Sequence, residues 1–122
     1  MSTISGIYPA LVTPFDEYGK LDTNRAQILV EKLQKNGVSG FYVGGSTGES
    51  YLLSVDERKK MLEAVVEACD PKLDVIANIG MLATEHSIEL AKHAEKLNVK
   101  AISSVPPFYF PFNMDEYFQY YC

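Results

Sequence analysis

Phe41-Tyr42-Val43-Gly44-Gly45-Ser46-Thr47-Gly48-Glu49-Ser50, residues 41–50, is the stretch around which the chain is organised. It opens as a strand, since Phe41, Tyr42 and Val43 are aromatic or β-branched and follow Gly40. Its character then changes within one residue. Gly44 and Gly45 carry no Cβ, so the main chain can turn sharply and approach a ligand closely. Ser46 and Thr47 add hydroxyls and N–H groups, a donor set suited to an anion such as a carboxylate. An ordinary strand-to-helix turn, with Ser and Thr as caps, is the competing reading of the same residues. Two other glycine loops are excluded. No Lys lies between Lys35 and Lys59, so a nucleotide P-loop is absent, and Gly44, Gly45 and Gly48 have the wrong spacing for the dinucleotide fingerprint. A small carboxylate suits this loop better than a phosphate ester.

Outward from the loop, the chain alternates strands and helices. Before it, residues 7–13 read as a buried first strand stopped by Pro14, with Pro9 implying a free edge or an irregular start. A helix over 23–36 follows, with Ile28, Leu29 and Leu33 on its apolar face and Gly37 as its stop. The second strand is 40–44. After the loop, Ser54 and Glu57 have capping-box spacing, and the helix they open carries Met61, Leu62, Val65 and Val66 inward, ending before Asp70-Pro71. Residues 73–79 form a third strand closed by Gly80. Thr84 can cap a third helix with Ile88, Leu90, Ala91, Ala94 and Leu97 on its apolar side. Residues 99–105 form a fourth strand, ending at Pro106-Pro107, and Asn113 to Glu116 resembles another helix start.

Strands beginning near 7, 40, 74 and 99, each followed by a helix, call for an α/β fold of parallel strands joined by right-handed crossovers. The strands are nearly continuous apolar runs, as expected when both sheet faces are covered. A (β/α)8 TIM barrel needs about 250 residues. Residues 1–122, one domain by length, are half of that. Thr13-Pro14, Gly44 to Thr47, Asn78 to Gly80 and Val105 to Tyr109 all fall at C-terminal strand ends, the face on which barrels build active sites. A flavodoxin-like open sheet would also place ligands there.

The totals exclude several classes. Hydrophobic residues at 47% and charged residues at 22% are ordinary for a globular domain. A net charge of −5 with scattered Lys and Arg argues against a nucleic-acid partner. No apolar run approaches the roughly 18 residues needed to cross a membrane, and residues 1–5 carry no signal core, so the cytoplasm is the expected compartment. Cys69 and Cys122 read as free thiols. His86 and His93 could share a helix face, but with no third ligand nearby no metal site is expected, and both read as solvated. No cofactor motif is present.

At Gly44-Gly45-Ser46-Thr47-Gly48-Glu49 the chain resembles the N-acetylneuraminate lyase and dihydrodipicolinate synthase family, class I pyruvate-dependent aldolases on a (β/α)8 barrel. Three further pieces fit in order: Ala10-Leu11-Val12-Thr13-Pro14-Phe15, Ser54 to Arg58, and Pro106-Pro107-Phe108-Tyr109-Phe110-Pro111-Phe112. Gly-Gly-Ser-Thr-Gly-Glu and Pro-Phe-Tyr-Phe-Pro-Phe look like the sialic acid lyase branch. The resemblance implies reversible Schiff-base cleavage of a sialic acid to N-acetylmannosamine and pyruvate, without cofactor, in a homotetramer. It implies that Ser46 and Thr47, beside Gly45, hold the pyruvate carboxylate, and that Thr47 joins a hydroxyl relay with tyrosines. One of these, Tyr109, would reach a neighbouring subunit's site.

The family's mechanism also needs a Schiff-base lysine and a proton-shuttling tyrosine, which in the family lie on later strands, beyond residue 122. Lys72 and Lys100 stand at strand starts, the wrong end, and Lys20, Lys32, Lys35, Lys59, Lys60, Lys92 and Lys96 occupy a loop or helix surfaces. The resemblance thus makes residues 1–122 the N-terminal half of a single (β/α)8 barrel domain, about its first four βα units, expected to be inactive alone and to need the remaining half of the barrel as its partner. A related 2-keto-acid aldolase or synthase is the alternative enzyme. A half-barrel acting only as an oligomerising or binding module is the alternative of another class.

Overall fold

The computed structural model describes residues 3–122. Its sheet has three parallel strands, β1 (Gly40–Val43), β2 (Asp74–Asn78) and β3 (Ala101–Ser103), in the order β1-β2-β3. Helices α1 (Thr23–Gln34), α2 (Val55–Ala68) and α3 (Thr84–Lys96) alternate with them, and α4 (Met114–Tyr121) follows β3. Phe41 pairs with Val75 and Val43 with Ala77, and these four side chains share the sheet face turned to the helices. There they join Met61, Leu62 and Val65 of α2, Leu90 and Ala94 of α3, and Ala26 and Val30 of α1 in one core. Tyr42, Ile76 and Ala101 are in register on the opposite face.

The expected first strand is not a strand. Residues 7–11 run alongside β1, with Ser39 N donating to Ile7 O (2.8 Å), Tyr42 N to Pro9 O (3.0 Å) and Leu11 N to Tyr42 O (2.9 Å). Only the Ala10–Tyr42 pair makes a bridge, in the parallel sense. Pro9 and Pro14 carry no N–H, so a longer ladder lacks donors at those positions. The expected fourth strand shortens to Ala101–Ser103, because Val105 has turned to lie across Gly80. With residues 7–11 beside β1, spatial order follows chain order throughout. A doubly wound sheet reverses its order at a switch point and a barrel does not. The arrangement is the opening portion of a (β/α)8 barrel.

Both capping boxes form. Ser54 opens α2 and Asn113 opens α4, each with reciprocal bonds to the Glu three residues on. Three helix details differ from expectation. In α1 the packed stripe is Ala26, Leu29, Val30 and Leu33, and Ile28 is exposed. In α3 it is Ser87, Leu90, Ala91 and Ala94, and Ile88 is exposed. Each Ile sits about 100° around the helix from its packed neighbour. The α3 N-cap is Ala83, not Thr84, and makes no side-chain cap bond. Ser87 supports this helix start instead, its Oγ accepting from Met81 N at 2.9 Å. His93 is not solvated either: its side chain is 16% exposed, with Nε2 3.2 Å from Glu63 Oε1.

Candidate active site

Between β1 and α2 the chain makes two short 3-10 turns, Ser46–Gly48 and Ser50–Leu52. Gly44 turns the chain off the strand at φ 73°, a left-handed conformation that costs an L-residue about 1–2 kcal/mol. Gly45 lies in ordinary extended backbone, and its requirement is spatial: a Cβ there would stand 2.5 Å from Cε1 of Tyr42. The carbonyl of Gly45 accepts from Gly48 N (3.0 Å) and that of Ser46 from Glu49 N (3.0 Å). No backbone acceptor meets the N–H groups of Ser46 and Thr47 among the described residues. Both residues are exposed. These two exposed residues therefore offer two hydroxyls and two amides without a backbone acceptor just beyond the C-terminal end of β1, a donor set for a small anion.

The loop is held from three sides. Thr13 Oγ1 donates to Gly48 O at 2.6 Å, tying the N-terminal segment to it. From below, Tyr42 rises beneath Gly45, its hydroxyl 2.6 Å from Ser103 Oγ and accepting from Asn78 Nδ2 at 3.2 Å. One phenol thus joins the ends of β1, β2 and β3. Asn78 also turns its Oδ1 to Gly80 N at 2.8 Å. On the helix side, Arg58 of α2 is buried, with Nη2 donating to Asn78 O (2.6 Å) and Nη1 to Gly80 O (2.7 Å). The Tyr51 ring meets Phe108 edge-on at 4.9 Å, and burial pushes its phenol above the usual range.

The residues singled out from sequence separate into two groups. Gly45, Ser46 and Thr47 lie together in the loop. Tyr109 does not join them: its side chain is 75% exposed, its ring packs edge-on against Phe110 at 4.9 Å, and no hydrogen bond links it to the loop among the described residues. Thr47 likewise has no hydroxyl partner among them. Lys100 pairs with Asp74 (3.3 Å) at the opposite end of the sheet, and Lys59 pairs with Glu89. Tyr42, Asn78, Ser103 and Arg58 went unassigned in the sequence. For Arg58 a signal existed: it precedes Met61, Leu62 and Val65 by 3, 4 and 7 residues, on the apolar stripe of α2.

A sequence model of the Dihydrodipicolinate synthetase family matches residues 3–122. An N-acetylneuraminate lyase of Citrobacter koseri is 42% identical over 118 residues, which are 97% of this chain and 40% of that protein. The crystal structure of N-acetylneuraminate lyase from Mycoplasma synoviae superposes with a TM-score of 0.91 at 42% identity, covering 95% of this chain and 40% of that one. A catalytic-lysine mutant of the Ruminococcus gnavus sialic acid aldolase gives 0.91 at 41% identity, over 94% and 38%. The chain thus spans about two fifths of the length of the relatives it matches.

Proposed function

Because this chain belongs to the dihydrodipicolinate synthetase family, we propose that it is the carboxylate-binding part of an N-acetylneuraminate lyase. In that reading Ser46 and Thr47, with the Gly45 backbone beside them, hold the carboxylate of pyruvate or of the sialic acid. A lysine outside residues 1–122 forms the Schiff base at the adjacent ketone carbon, and the Thr47 hydroxyl passes a proton along a relay with tyrosines. Tyr109 enters that relay from a neighbouring copy in a homotetramer, and its exposure leaves it free to do so. The observation that carries the reading is that exposed Ser46 and Thr47 have no backbone acceptor for their amides among the described residues, in a loop that rests on the Tyr42 ring at Gly45. It is supported by relatives named as lyases or aldolases, one of them with a catalytic lysine. A dihydrodipicolinate synthase would use the same carboxylate loop, and the family's own description keeps that reading in view.

Borohydride reduction with pyruvate tests the assignment. The complete barrel carrying these residues should gain the mass of a reduced pyruvate adduct, while residues 1–122 alone should gain none. Labelling of any lysine within 1–122 refutes the placement of the nucleophile. Release of N-acetylmannosamine from N-acetylneuraminate separates the lyase from the synthase. Thr47→Ala should cost about 2–4 kcal/mol of transition-state stabilisation, as for loss of one oriented donor. A rate within tenfold of the parent removes Thr47 from the relay.

A further inference from the structure

Arg58 is a cation in an unusual position. It is 4% exposed, yet both of its hydrogen bonds go to backbone carbonyls, those of Asn78 and Gly80. Its Nε has no partner among the described residues. A cavity of about 20 Å³ beside it is lined by Val43, Gly44, Leu53, Met61 and Asn78, with Ile79 and other apolar residues and no carboxylate. Buried cations are normally paired, because desolvation of an isolated charge is costly. Burial does lower the pKa of this guanidinium, but arginine stays protonated in proteins. A fixed positive charge therefore lies under the loop with no counter-ion among the described residues. A Cβ added to Gly44 would sit 3.6 Å from Arg58 Nη2 and 3.8 Å from Nε, so the charge lies directly beneath the turn that leads into Ser46 and Thr47.

We propose that Arg58 is the positioning residue of the carboxylate loop, clamping the end of β2 and holding an unpaired positive charge under Gly44 so that an anion bound at Ser46 and Thr47 completes the pair. This rests on the carboxylate reading above. The clamp acts along a traceable route. Arg58 fixes the Asn78 and Gly80 carbonyls, Asn78 Nδ2 holds the Tyr42 hydroxyl, and the Tyr42 ring supports Gly45. The charge acts through space from an apolar pocket, so it is screened less than a surface cation would be.

The test uses the complete barrel, with pyruvate affinity measured by calorimetry and melting temperature by circular dichroism, for Arg58→Lys and Arg58→Met. Removing the charge in Arg58→Met should weaken pyruvate binding about threefold to thirtyfold, the range seen for residues that act on a ligand without touching it. Arg58→Lys keeps the charge and should recover most of that loss even where its melting temperature falls as far. Equal affinity in Arg58→Met and the parent, or equal weakening in Met and Lys, overturns the proposal and leaves Arg58 a structural clamp. If Arg58→Met does not fold, Arg58→Lys decides: affinity within fivefold of the parent upholds the inference and a larger loss sinks it. A parent that binds no pyruvate at all fails the carboxylate reading itself, a distinct result.

Discussion

Gly45→Ala isolates the contact on which the loop rests. The new methyl would meet Tyr42 Cε1 at 2.5 Å and Cδ1 at 3.1 Å, about 1 Å closer than ordinary van der Waals contact. Gly45 has φ −81° and ψ −169°, a region open to alanine, so the backbone itself resists nothing. Two escapes exist. Tyr42 can rotate away, which breaks its bonds to Ser103 (2.6 Å) and Asn78 (3.2 Å) at about 1 kcal/mol each. Alternatively the loop can lift, which strains the Thr13–Gly48 tie. The first route costs about 2 kcal/mol, within the usual cost of overpacking. In a complete barrel that lowers the melting temperature by about 4–8 °C. The assay is a double-mutant cycle by urea and thermal unfolding with Tyr42→Leu, which removes the clashing ring. The alanine penalty should shrink by more than about 1 kcal/mol in that background. Gly44→Ala is the control: its cost comes from φ 73° and should persist whatever stands at position 42. A Gly45→Ala protein as stable as the parent, or a penalty unchanged by Tyr42→Leu, refutes the stacking argument.

Two further outcomes are expected. The Ser54 backbone N–H holds the Glu57 carboxyl below its usual pKa, so the α2 cap should stabilise fully above the unfolded carboxylate value and fade as pH falls through the lower folded one. Unfolding free energies of the parent and Glu57→Gln, separated by about 0.5 kcal/mol at pH 7, should converge at pH 3, and a gap constant with pH counts against the charged half of the box. Residues 1–122 expressed alone should associate or aggregate at tens of micromolar, because Ile7, Val12, Ile102, Phe108 and Phe118 are exposed and the outer edge of β3 is unpaired among the described residues. Sedimentation showing a cooperatively folding monomer refutes this.

Local chemistry was legible in the chain and long-range contact was not. The glycine turn, the two capping boxes and the inward face of α2 rest on residues within a few positions of one another. The misread faces of α1 and α3 share one cause. Ile28 and Ile88 are the larger apolar residues, but Ala26 and Ser87 are small enough to sit where helices pack closely. Pro9 did signal the irregular start; what it could not give is that only Ala10 would bridge, because that depends on a partner strand far along the chain. Arg58, noted only as the end of the Ser54 to Arg58 piece, received no role because its acceptors, the carbonyls of Asn78 and Gly80, lie far along the chain.

Glu49 closes the first 3-10 turn and opens the second, in a left-handed conformation at φ 54°. The passage from β1 to α2 therefore holds no slack residue, since each position from Gly44 to Ser54 belongs to a turn, a joint or a cap. Most surface loops absorb an inserted or deleted residue at small cost. Here a change of one would rotate Ser46 and Thr47 away from the rim, or pull Tyr51 off Phe108. Variation in this connection should proceed by substitution at constant length, so the number of residues between the strand and the capping serine is itself a constraint on the lineage.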